Sequence, residues 1–186
     1  MAYVQPALMR STVTPEPNGI KVVIPAKRNW FILLFLSFWL CGWAVGEFTV
    51  PFEFFKHDTP AGAKLFSLAW LGGWTVGGGF AIYAWLWQLK GEEIITLTPA
   101  ALLRKRSVFG YGRQHEYGIQ HIKNFRIAPQ GYNPFDFSSA GQFWGMSGGI
   151  IAFDYGAKTY RFGIGLDESE ANLIVNQMKQ LVNIPE

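Results

Sequence analysis

Three histidines, one cysteine and a short run of arginines are the side chains through which this sequence could do chemistry. His115 and His121 lie six positions apart with Glu116 beside the first, and His57 is remote from both. A zinc site takes three or four ligands, so the pair falls short and reads better as surface or hydrogen-bonded histidine. Cys41 lies in an uncharged run, where its thiol is expected to stay neutral and inert. The motifs of a Ser–His–Asp hydrolase, a P-loop or an H-E-x-x-H metalloprotease are missing. Gly110-Tyr111-Gly112 lacks the third glycine and following helix of a dinucleotide fingerprint, and Gly77-Gly78-Gly79 has no Lys or Ser/Thr behind it. Catalytic, cofactor and metal residues are therefore expected to be none, which leaves binding.

Arg104, Lys105 and Arg106, with Arg113 on the next strand, are the strongest basic cluster. Arg104, Arg106 and Arg113 are candidates for an anionic lipid headgroup. Strand alternation sends Arg104 and Arg106 to one face and Lys105 to the other. The neighbouring Glu92, Glu93 and Glu116 offer a competing use as ion-pair partners. Nucleic acid is excluded as a partner, because residues 91–186 carry nine basic and nine acidic side chains and have no basic surface to spare.

The elements that hold these residues are set by where the apolar side chains fall. The 186 residues are 49% hydrophobic and 17% aromatic but only 16% charged, with one cysteine, which excludes a disordered chain and a disulfide scaffold. The excess lies in two uncharged blocks, residues 29–46 and 65–89. As helices these reach roughly 27 and 37 Å, against a hydrocarbon core near 30 Å. Trp30, Trp85 and Trp87 at the block ends are placed for the headgroup layer. The first block follows a long polar stretch and lacks a small-residue cleavage site, so it is expected to stay in the mature protein rather than leave as a signal peptide.

Three segments follow: a polar basic tail over 1–28, a transmembrane hairpin over 29–90 and a cytoplasmic domain over 91–186. Lys and Arg collect in the tail and after the second block, whereas the connection between the blocks is net acidic. Both termini are thus expected on the cytoplasmic side of a cell inner membrane. Small residues four apart, Gly42 and Gly46 in the first helix and Ala69, Gly73, Gly77 and Ala81 in the second, form either the seam of the hairpin or a surface for a partner helix. The glycine triplet at 77–79 invites a kink. Glu47 closes the first block at its outer edge.

Beyond Gly91 the period changes. Residues 93–98, 102–109, 113–117 and 122–127 read as strands. Ile151, Phe153 and Tyr155, then Tyr160, Phe162 and Ile164, alternate around Gly156-Ala157 as a hairpin with one apolar face. Asp167 with Glu170 three residues on starts a helix, and Ala171, Ile174, Met178 and Leu181 form its stripe. This is an α+β domain of strands closed by a terminal helix.

The strand order, the hairpin Phe153-Asp154-Tyr155-Gly156-x-Lys158-Thr159-x-Arg161-Phe162-Gly163 and the closing helix resemble the bacterial pleckstrin-homology-like domains that follow paired transmembrane helices in small membrane proteins. The similarity covers roughly residues 20–184. It implies an antiparallel, partly open barrel with a C-terminal capping helix, no enzymatic activity, and a role in assembly or interaction. One departure is the long stretch 128–149, whose Tyr132, Phe135, Phe137, Phe143 and Trp144 would either grip a membrane partner or fold over the domain's own core. The expected function is a non-catalytic, membrane-tethered adaptor or assembly factor that binds another membrane protein or itself. The alternative is a lipid-headgroup module using Arg104, Arg106 and Arg113.

Overall fold

The computed structural model describes residues 9–56, 60–128 and 140–181. It divides into two compact units, Arg28–Leu89 and the remainder, Met1–Lys27 together with Lys90–Glu186.

The first unit is a pair of helices, α1 (Trp30–Lys56) and α2 (Ala61–Lys90). Asn29 starts α1, its side-chain oxygen accepting the N–H groups of Phe31 and Ile32. The helix runs past Glu47 and through Pro51, so Glu47 lies within it rather than at its end. α2 is likewise helical without interruption through Gly77–Gly79. Trp30–Phe52 and Ala61–Lys90 are long and apolar enough to cross a membrane. Only 17% and 11% of their most apolar windows are buried, unlike core helices of a globular domain.

Contacts along the pair run antiparallel. Asn29 donates its N–H to Gln88 Oε1 at 2.8 Å, and Trp85 donates to Ser37 Oγ at 2.8 Å. Further along, Trp43 donates to the Trp74 carbonyl at 3.1 Å, and Thr75 donates to Glu47 Oε1 at 2.6 Å. Trp74, Gly78, Trp85 and Gln88 are separated by four, seven and three residues, the spacing of a heptad seam. Of the tryptophans expected at the block ends, Trp85 bonds within the hairpin and Trp87 is buried.

The second unit is mixed α and β. A five-stranded antiparallel sheet has the order β1-β2-β3-β4-β5, with β1 Thr12–Glu16, β2 Gly19–Pro25, β3 Gly91–Leu97, β4 Ala101–Val108 and β5 Gln114–Gly118. A three-stranded antiparallel sheet follows in the order β6-β7-β8, spanning Ile122–Ile127, Ile151–Tyr155 and Lys158–Phe162. A short helix α3 (Ala140–Phe143) precedes β7, and α4 (Glu168–Leu181) ends the described chain. Among the described residues the two sheets do not join into a closed barrel.

The tail reading is corrected here. Residues expected to form a separate basic tail are β1 and β2, and β2 pairs with β3 from Ile20↔Leu97 to Pro25↔Glu92. The cause is visible in the burial pattern: Ile20, Val22 and Ile24 share one face of β2 and enter the same core as Ile95 and Leu97 of β3. Two side chains tie this segment down further. Buried Glu170 of α4 accepts both the N–H and the hydroxyl of Ser11 at 2.6 Å each. Arg10 donates to the carbonyls of Gly165 and Pro25. The sheet unit therefore does not begin at residue 91; both long helices are an insertion between two neighbouring strands.

One core serves both sheets. Leu102, Ile122, Ile151, Phe153 and Phe162 meet Ala171, Ile174 and Met178 of α4. Each fully buried aliphatic or aromatic side chain contributes roughly 1.5–3 kcal/mol. Asp167 caps α4 by accepting the Glu170 N–H at 2.7 Å. The reciprocal half of the expected capping box is absent, since the Glu170 carboxylate is turned to Ser11. Gly156, at φ 60, is the first residue of the two-residue loop joining β7 to β8, the position that a hairpin turn assigns to glycine.

Because Ala26 donates its N–H to the Gly91 carbonyl at 2.9 Å, the helices can be excised. Residues 9–27 joined to 90–186 by a short glycine linker are expected to unfold cooperatively in aqueous buffer, followed by circular dichroism. Residues 90–186 alone are expected to lack that transition, because β3 loses its partner strand and the core loses Ile20, Val22 and Ile24.

Candidate functional site

The arginine cluster is organised by one carboxylate. In β3, Gly91, Glu93, Ile95 and Leu97 all point inward, so Glu93 is carried into the interior by the same alternation that buries its apolar neighbours. It is only 1% exposed. Arg104 on β4 answers it, with both Nε and Nη2 at 2.7 Å from Oε1. Arg106 Nε lies at 3.9 Å from the same oxygen. Oε2 accepts the backbone N–H groups of Gly163 and Ile164, just after β8. One carboxylate thus joins β3, β4 and the end of the smaller sheet.

The three candidate headgroup residues therefore do not act together. Arg104 is committed to Glu93. Arg106 reaches toward the same carboxylate with its side chain 37% exposed. Arg113 is exposed at the other side of the hairpin, and its carbonyl accepts the Arg106 N–H at 3.2 Å. Tyr117, opposite Leu102 on β5, is buried among Phe153, Tyr155 and Tyr160. Burial pushes its phenol pKa up, with the Arg104 charge pulling the other way.

The small-residue stripe divides in two. Ala81 is buried, and a Cβ added at Gly46 would meet the Trp74 ring at ordinary contact distance, so these two belong to the hairpin seam. Around Gly42, Gly73 and Gly77 nothing stands within 4 Å of an added Cβ, and Ala69 is exposed. The glycine the seam needs is Gly78, where a Cβ would run into the indole of Trp43. The difference has a simple cause: the i, i+4 row of residues 69, 73 and 77 winds away from the heptad row 71, 74, 78, 81, 85 and 88 that faces α1.

A third constellation was not read from the sequence. On the outer face of the smaller sheet, Asp154 of β7 accepts Arg126 Nη1 and Asn124 Nδ2 at 2.9 Å each and the Thr159 hydroxyl at 2.6 Å. Asn124 reaches it because β6 is irregular between Lys123 and Arg126, with Asn124 at φ 51. The open depression beside it is lined by His121, Lys123, Asn124, Asp154, Lys158 and Thr159. Asp154 is paired with Arg126 rather than aimed at an empty centre. Arg126, then Thr159 and Asn124, hold the Asp154 carboxyl well below the usual carboxylate range.

Of the candidate partner loop, Tyr132, Phe135 and Phe137 lie outside the described residues. Phe143 closes α3 by its backbone, and Trp144 is half-buried rather than displayed. His57 also lies outside the described residues. Among those described, no three of His, Cys, Asp and Glu converge as metal ligands. Comparison of the chain with protein-family models, with curated proteins and with solved structures finds no match.

Two outcomes follow from the charges. Glu93→Ala leaves the Arg104 guanidinium and two backbone N–H groups unanswered, and is expected to cost about 3–5 kcal/mol in chemical denaturation; Glu93→Gln, which keeps an acceptor, costs less. For Asp154 the folded-state pKa is lowered, so its stabilisation is complete above about pH 4 and fades as pH falls through the lowered value. The gap in melting temperature between the natural chain and Asp154→Asn is therefore expected to be widest near neutrality and to close in acid.

Proposed function

We propose that this chain is a membrane-tethered, non-catalytic adaptor or assembly factor that binds another membrane protein, or a second copy of itself, through its helical hairpin. The observation that carries this reading is the outward row Ala69–Gly73–Gly77. Helices in lipid associate by close van der Waals approach, which small residues at this spacing permit. The hairpin's own seam leaves that row open. Trp, Phe and Leu side chains cover much of the remaining helix surface, with Phe31, Phe38, Phe66 and Leu68 all exposed, as suits contact with acyl chains.

The tether is the helical pair spanning a cell inner membrane with both termini cytoplasmic. Arg10, Lys21, Lys27 and Arg28 before α1 and Lys90 at the end of α2 support that orientation. The sheet unit is read as a pleckstrin-homology-like domain. Two antiparallel sheets over one core and a C-terminal helix packed into it support that assignment. The use of the strongest charged constellations, Glu93–Arg104 and Asp154–Arg126, in holding strands together supports a non-catalytic role.

Headgroup binding through Arg104, Arg106 and Arg113 is the second reading. Exposed Arg113 favours it, and the burial of Arg104 against Glu93 weighs against it. Binding of anionic vesicles that falls steeply with salt and with Arg113→Ala would favour this reading over the first.

Gly77→Leu and Gly73→Leu are expected to abolish recovery of the partner, or of a tagged second copy, from mild detergent. Their unfolding temperatures should stay near that of the natural chain, because their Cβ positions face open space. Gly78→Leu is expected to behave oppositely and to disrupt the hairpin itself. Undiminished recovery with both outward variants would remove the basis of the adaptor reading.

A further inference from the structure

Outside the two long helices, the large apolar side chains exposed among the described residues are Phe109, Tyr111 and, at the end of α4, Leu181. Phe109 is 58% and Tyr111 85% exposed, and the two stand one residue apart at the tip of the β4–β5 hairpin. Among the described residues, Tyr117, Phe125, Phe153 and Phe162 are buried in one core with Tyr155 and Tyr160 packed against it, so this pair stands apart.

The backbone at the tip sharpens the point. Val108 and Tyr111 exchange N–H···O bonds of 2.8 and 3.1 Å around Phe109 and Gly110, whose φ values are 51 and 82. Both central residues left-handed is the tight hairpin turn that favours Asn-Gly. A phenylalanine occupies the position where Asn relieves strain, and its ring touches none of the core. Lys105 Nζ braces the turn by donating to the Gly110 carbonyl at 2.9 Å. The turn is thus rigid, strained at its aromatic residue and bare.

Its location follows from register and chain continuity. Val108 pairs with Gly91, the first residue after α2. β4 therefore runs back toward the point where the chain arrives from α2, and Phe109 to Tyr111 project beyond it. Lys105 and Arg113 flank the tip along the two strands, and Lys90 directly precedes Gly91, the partner of Val108. Aromatic rings backed by Lys and Arg match the headgroup layer of an anionic leaflet, where rings settle at the level of the glycerol backbone and cations meet phosphate.

We propose that the Phe109–Gly110–Tyr111 turn is a membrane-docking tip, inserted in the headgroup layer of the leaflet through which α2 leaves the bilayer. The inference rests on the helical pair being transmembrane and adds a second point of attachment.

The test uses the full chain with Cys41→Ala, so that Tyr111→Cys is the only thiol and carries an environment-sensitive fluorophore. Ala100→Cys, in the turn at the opposite end of the β3–β4 pair, is the aqueous reference. Both are placed in phosphatidylcholine nanodiscs containing phosphatidylglycerol, with no other protein. Co-elution with the discs reports the transmembrane reading by itself. The expected result is blue-shifted emission at position 111, quenching by headgroup-level spin-labelled lipid, and several-fold lower iodide quenching than at position 100. Phe109→Asn suits the turn better and keeps the fold, yet is expected to restore iodide access at position 111. Equal iodide access at 111 and 100 in chains that co-elute with discs overturns the docking tip, including the case in which the rings await a protein partner. Failure to co-elute overturns the transmembrane reading and the tip with it.

Discussion

The ladder between β2 and β3, from Ile20↔Leu97 to Pro25↔Glu92, closes a connection that contains both long helices. Closing a long flexible loop costs entropy that grows slowly with its length. Here the loop is not flexible, because the hairpin brings its own ends together: Arg28 donates to the Leu89 carbonyl and Asn29 to Gln88. Each half makes the other cheaper to form. The ladder requires the two helix ends to meet, and the seam of Trp43, Trp74, Gly78 and Trp85 delivers them already adjacent.

Within the sheet unit the comparable constraint is Glu93. A carboxylate at 1% exposure is costly unless every lone pair is answered. Arg104 and the N–H groups of Gly163 and Ile164 answer it from different strands, so the site forms only when β3, β4 and the end of β8 are all in place. Glu170 with Ser11 repeats the arrangement at the other end of the chain, with a buried carboxylate holding a backbone segment that has few apolar contacts of its own. Such groups contribute less to raw stability than an apolar core of equal volume, but they reject alternative registers.

Much of the architecture was legible in the residues. The alternation in EIITL, in IAFDY and in KTYRF located β3, β7 and β8, and Asp167 with the stripe Ala171, Ile174 and Met178 located α4. The uncharged blocks located α1 and α2. The N-terminal hairpin was missed although Ile20, Val22 and Ile24 alternate plainly, because a lone strand beside a long apolar block has no neighbour in sequence to pair with. The parity of Glu93 with Ile95 and Leu97 was likewise a signal that the carboxylate would be buried. It would have removed Arg104 from the exposed candidates. The choice between Gly77 and Gly78 was harder to read, since adjacent glycines differ only in which face the heptad row presents. The contact with Trp43 decides it from outside the local sequence.

Insertion of the helices between adjacent strands has a consequence for biogenesis. During synthesis the N-terminal hairpin emerges first, with Ile20, Val22 and Ile24 uncovered, and its partner strand is made only after both helices are complete. In the membrane orientation proposed above, the sheet cannot finish unless the helices have turned back and returned the chain to the side it left. A molecule with one helix mis-threaded would keep an open strand edge and a bare apolar face, the features by which quality-control proteases and holdases select their clients. Correct threading and a completed sheet are therefore reported by a single event, the arrival of Gly91 beside Pro25.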